Sequence, residues 1–119
     1  MRFAILAVML AIGPTPALAF ERITDAREFT QLVEGRDLTR FGIRLQVSAQ
    51  QTDEGAITGR GFGYDVTGDW QWNDGYFCRD LDWGGDDLGF NCQAVLRDGQ
   101  SVRFVSDRGE GDHADFSLR

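Results

Sequence analysis

The amino-acid sequence predicts a single, mainly β domain. It reads as an antiparallel meander that closes as a small barrel or stacks as a sandwich, with one N-terminal helix. Three observations carry that expectation. About seven short stretches alternate apolar and polar residues with period two, and turn residues such as Asn73-Asp74-Gly75 and Asp98-Gly99 separate them. One stretch alone repeats at helical spacing. The segment from Val66 to Cys92 holds all three tryptophans and both cysteines, so the largest apolar side chains and a covalent clasp sit in one hairpin region. Closure would remove exposed strand edges, and pattern alone leaves barrel and sandwich both open.

Met1-Arg2 is a short basic start, Phe3 to Ile12 is apolar, and Ala17-Leu18-Ala19 fits an A-x-A cleavage site. That is the layout of a Sec-type signal peptide. The apolar run is short for a membrane anchor. Residues 1–19 are therefore set apart, and 20–119 are expected to fold as one domain, periplasmic or secreted, with no stable membrane span after cleavage. The basic residues are all arginine. Removing Arg2 from the 12 basic residues leaves 11 against 19 Asp and Glu, a net charge of −8. Such a surface repels nucleic acid and anionic lipid.

The first element is a helix over Thr24 to Glu34. Thr24 or Asp25 can cap it, Asp25 and Glu28 have capping-box spacing, Ala26, Phe29, Leu32 and Val33 make one apolar face, and Gly35 ends it. Gly42 to Ala49 alternates as a half-buried strand, with Leu38 to Phe41 as its lead-in or a short strand of its own. After a turn over 50–55 comes a strand from Ala56 to Phe62, in which Ile57, Gly59, Gly61 and Gly63 share one side. Glycine weakens a strand unless something needs the room. The expectation is that these glycines admit the indoles of the next strand or let the sheet bend. That next strand carries Trp70 and Trp72 on its apolar side, and Tyr76 to Leu81 returns from the Asn-Asp-Gly turn. Residues 82–89 read as a loop. Phe90 to Arg97 and Gln100 to Ser106 form a hairpin about Asp98-Gly99, residues 107–112 are a polar turn, and His113 to Leu118 is the last strand.

Cys78 and Cys92 are the only cysteines, and export places them where disulfides persist. They lack C-x-x-C spacing, so the expectation is a structural disulfide, adding roughly 3 kcal/mol in the chain-entropy model. Asp80, Asp82, Asp86 and Asp87 surround Gly84-Gly85. Oxygen-rich loops can hold Ca²⁺, but the spacing is not that of an EF-hand, and a solvated acidic loop is the plainer reading. His113, between Asp112 and Ala114, has no second histidine to complete a zinc set and no G-x-S-x-G serine to serve. Gly59-Arg60-Gly61-Phe62-Gly63 is not a dinucleotide fingerprint, because a strand follows where a helix is needed. No cofactor is implied. Arg60, Arg79 and Arg103 lie in strands, where facing solvent or pairing with Asp is the ordinary role. One pointing inward would mark a site.

The run G-D-W-Q-W-N-D-G-Y-F-C-R-D-L, with G-R-G-F-G before it and L-G-F-N-C after it, resembles a family of short exported alphaproteobacterial proteins of unknown function. The resemblance spans Phe29 to about Asp107. Some look-alikes carry the label dihydrodipicolinate reductase, a chemistry that needs a nucleotide-binding domain for which this chain has neither motif nor length. Gly68-Asp69-Trp70 leading to Cys78 is more loosely similar to the small periplasmic metalloprotease-inhibitor barrels. That resemblance implies that Phe20-Glu21-Arg22 acts as an inserted trunk. The first functional expectation is a calycin-like binding module for a small apolar or amphipathic ligand, or for an envelope protein. Trp70, Trp72, Tyr76 and Trp83 would be the contact aromatics, with core packing the plainer reading of Trp70 and Trp72. A protease inhibitor is the second expectation and an enzyme the third.

Overall fold

Residues 19–119 are described by a computed structural model of the chain. The expected signal peptide falls almost wholly outside the described residues. Among the described residues the order is β1 (Glu21–Ile23), α1 (Ala26–Val33), β2 (Asp37–Arg40), β3 (Ile43–Gln51), β4 (Glu54–Gly61), β5 (Tyr64–Asn73), β6 (Tyr76–Trp83), β7 (Asp86–Asp98), β8 (Ser101–Val105), α2 (Ser106–Gly109) and β9 (His113–Leu118). Every pairing is antiparallel. Strands β2 to β9 form a closed eight-stranded barrel, because β9 returns to β2 (Leu38 opposite Leu118) and β8 pairs with β7. The sequence left barrel and sandwich open, and the ring of pairings decides for the barrel. β1 is an outer strand, with Glu21 opposite Arg97 and Ile23 opposite Val95.

Up-and-down connections sort the turns between two ends. Residues 52–53, 74–75 and 99–100 turn at one end, and α1 closes it. Asp25 caps α1 as expected, its carboxylate accepting from the Glu28 N–H (3.3 Å). The buried face is Phe29, Leu32 and Val33. Thr30 Oγ1 donates to the Thr52 carbonyl (2.8 Å), which ties the helix to the β3–β4 turn. Phe29 enters the barrel and packs on Trp70, Trp72, Phe77 and Phe104 at centroid distances of 5.5, 5.0, 5.1 and 6.4 Å. This aromatic cluster is the heart of the core.

Residues 41–42, 62–63 and 84–85 turn at the other end. Among the described residues no helix of α1's length covers it. The connection from β8 to β9, expected as a polar turn, contains the short α2, with Asp107 and Arg108 in left-handed conformation (φ 56° and 55°). Asn91 secures it: Asp107 N–H donates to Asn91 Oδ1 (2.9 Å), and Asn91 Nδ2 donates to Asp107 Oδ1 (2.8 Å).

The stretch expected as an acidic loop is instead a tight hairpin. Gly84 and Gly85 both take positive φ (60° and 100°) and turn the chain in two residues. Asp82 and Asp86 through Asp87 are therefore strand residues, with a register shift beside Leu81.

Candidate functional site

The barrel is not filled to its open end. A cavity of about 260 Å³ lies inside it, lined by Leu38, Arg40, Ile43, Leu45, Val47, Ile57, Phe77, Arg79, Leu81, Trp83, Gln93, Phe104, Ala114 and Phe116. Eight strands leave an interior just wide enough for side chains or one small ligand, and this barrel divides its interior between both. Phe77 and Phe104 form the boundary with the packed end. Trp83 and Arg40 belong to the last inward positions of β6 and β2 before the open-end turns.

Each lining residue follows from strand parity. On β6 the inward row is Phe77, Arg79, Leu81 and Trp83, which alternates with Cys78, Asp80 and Asp82. On β3 and β4 the row is Ile43, Leu45, Val47 and Ile57. Gly61 continues the β4 row. A Cβ there would overlap the Trp83 indole, and Trp83 Nε1 donates to the Gly61 carbonyl (3.1 Å). Of the glycines expected to admit an indole, Gly61 alone does so, and the indole is that of Trp83, reaching across β5, rather than Trp70 or Trp72; a Cβ at Gly59 would instead meet the β3 backbone at Arg44, and Gly63 has open space.

Of the four expected contact aromatics, only Trp83 lines the cavity. Trp70 (1 % exposed) and Trp72 (8 % exposed) are core at the closed end. Their indole N–H groups donate to the Ser48 and Thr24 carbonyls (2.9 and 3.2 Å). Tyr76 shares no parity with the inward row of β6. It lies outside, under the guanidinium carbons of Arg22 (4.6 Å) and Arg108 (4.8 Å) from its ring centre.

Cys78 and Cys92 are directly opposed across β6 and β7 and are joined as a disulfide. The pair clips two neighbouring strands on the outward parity of the wall that carries Arg79. Asp80, Asp82 and Asp87 line an outer groove with Asp69, away from the cavity. Asp82 accepts from the Gly85 N–H (3.0 Å) and Asp87 from the Gly89 N–H (2.8 Å), so these carboxylates brace the hairpin. Among the described residues no group of three or more His, Cys, Asp or Glu is placed to hold a metal ion.

The three strand arginines have three fates. Arg60 pairs with Asp65 on the surface (2.5 Å). Arg103 makes a two-pronged contact with Asp115 (2.7 and 3.0 Å). The hydrogen bond from Arg103 holds the Asp115 carboxyl below its usual range, with a smaller opposing effect of desolvation. Asp115 is thus engaged with Arg103, and His113 is exposed at the start of β9.

Arg79 is the one that points inward. Its Nη1 donates to the Gly89 carbonyl (2.9 Å), and among the described residues it has no salt-bridge partner. Burial pushes its pKa down, with adjacent Asp80 acting the other way. Gln93 and Arg40 are the other polar side chains of the lining. Arg79 is thus the inward-pointing strand arginine that was expected to mark a site, although the sequence left open which of the three it would be. Its signal was there: F-x-R-x-L-x-W along β6 sets an arginine in an otherwise apolar row.

Comparison of the chain with known protein families, with curated proteins and with solved structures found no match in any of the three.

Proposed function

We infer that this chain is an exported binding module whose barrel holds a small apolar or amphipathic ligand. The cavity carries this reading: about 260 Å³ of interior, walled mostly by Leu, Ile, Val, Phe and Trp side chains and open at the end away from α1. Ligand sites are typically concave, apolar and furnished with a few polar groups, and Arg79, Gln93 and Arg40 are those groups here. The inhibitor reading needs an extended N-terminal trunk, whereas Glu21–Ile23 is paired into the sheet. No reaction is assigned.

The test uses the oxidised mature protein and a neutral naphthylamine dye that fluoresces in apolar surroundings. Saturable binding at one site is expected, together with its loss in Ile57→Trp, which fills the cavity. A dye that does not bind saturably, together with a clean ligand-free mass for protein purified from its own host, would overturn the reading.

A further inference from the structure

We propose that the ligand is an amphipathic anion, with an oxyanion head group held by Arg79 and an apolar tail of about ten non-hydrogen atoms along the β3 and β4 wall. This rests on the reading of the barrel as a ligand-holding module and extends it to the ligand's chemistry.

Arg79 is half-buried, and burial disfavours its charge. It stands between Phe77 and Leu81 on the inward row, where an unpaired charge is costly. A guanidinium is a fork of N–H donors suited to planar, two-pronged acceptors. Here one nitrogen is spent on the Gly89 carbonyl, and the fork has no carboxylate partner among the described residues.

Charge distribution points the same way. The chain carries 19 Asp and Glu, yet none of them lines the cavity, and among the described residues both charged side chains that do are arginines. Asp80, next to Arg79 in sequence, belongs to the outer groove with Asp69, Asp82 and Asp87. An acidic protein thus has an interior lined by positive charge alone, the arrangement that admits an anion and disfavours a cation. Arg40, near the mouth, donates from Nη1 to the Asp115 carbonyl (3.3 Å), with its guanidinium carbon 5.8 Å from the Phe116 ring centre. It adds a second positive charge on the way in.

Size sets the tail. An apolar cavity of about 150 Å³ accepts a benzene. By that measure the 260 Å³ here accommodates about ten non-hydrogen atoms. Leu45, Val47 and Ile57 supply the wall for such a chain.

The experiment displaces the neutral dye with decanoate, decyl sulfate and 1-decanol, from the wild type, Arg79→Met and Arg79→Lys. Both anions are expected to displace the dye from the wild type at about tenfold lower concentration than decanol, or lower still, the size of a hydrogen bond to a charged group. Arg79→Met should erase that advantage and leave decanol unchanged. Arg79→Lys should keep part of it, since it retains charge without the fork, and it serves alone if Arg79→Met does not melt cooperatively. An advantage for decanoate but not decyl sulfate would support the proposal with a carboxylate head. Equal displacement by all three chains, unmoved by either substitution, would overturn the anion proposal while the cavity reading stands. Failure of the dye and every chain to bind the wild type would overturn both.

Discussion

The two ends of the barrel are built from the same kinds of residue and finish differently. At the closed end α1 delivers Phe29 into a cluster with Trp70, Trp72 and Phe77, and the ring is fully buried. At the open end Phe62 stacks on Trp83 at 6.3 Å and stays 61 % exposed, while Phe41 is 92 % exposed. An eight-stranded interior can be filled by side chains or left for a small ligand. Where a helix adds an apolar face the interior becomes core, and where none does a cavity remains. Stability is therefore expected to reside at the α1 end and binding at the other.

That division can be broken from either side. Phe29→Ala should cost the most, about 3–5 kcal/mol, as expected for a fully buried ring. Trp83→Ala, at the partly exposed end, should cost clearly less and enlarge the cavity. Urea midpoints of the two variants check this, and equal losses would dissolve the contrast. Cys78→Ser with Cys92→Ser should lower stability by about 3 kcal/mol through the freed loop, and alkylation of the native protein should find no reactive thiol. Gly61→Val should cost about 1–3 kcal/mol by driving a side chain into the Trp83 indole. In Trp83→Ala that penalty should shrink, because the two positions share one space. Asp25→Ala, which removes the α1 cap, should cost about 1 kcal/mol and leave dye binding at the open end intact.

The smallest effect is electrostatic. Asp115 has its carboxyl pKa depressed in the fold by Arg103. Its contribution is therefore present above the unfolded value of about 3.9 and is lost as pH falls through the lower folded value. Asp115→Asn should lower the melting temperature slightly at neutral pH, where the contribution is present, and leave it unchanged in strong acid, so that the acid limb flattens; the effect is small because the pair is largely solvent-screened.

Most of the scaffold was legible because its signals are local. Ala114, Phe116 and Leu118 share a row in β9, and Asp25 with Glu28 starts α1 where the cap spacing says it should. What escaped depended on distant partners. Glu21-Arg22-Ile23 has no alternation to read, and it is a strand only because Arg97 to Val95 offers a free edge. Residues 82–89 read as a loop because three acids and three glycines resemble solvent-exposed chain. Two left-handed glycines proved enough for the turn, and the acids became wall. Arg79 is obscured in the sequence because a β6 that ends at Leu81 leaves its apolar row too short to show the interruption. Extending it to Trp83 completes the apolar row that the arginine interrupts. The inward parity of Trp70 and Trp72 was evident, but which end a helix would plug was not. Two of the expected contacts turned out to be packing.

The seam between β2 and β9 has a consequence for how the molecule is made. Thr39 Oγ1 donates to the Ser117 carbonyl across 78 positions of sequence (3.3 Å), and Leu38 pairs with Leu118 on the same seam. For a chain that emerges N-terminus first, every hairpin from β3 to β8 can zip locally while the β2 edge waits for a strand not yet delivered. Ring closure is then a late, high-contact-order event. Until it happens, the half-made barrel is an open sheet with an unpaired margin, the form in which such chains meet one another. The interval between emergence of β2 and arrival of β9 is the period in which this protein is most exposed to aggregation.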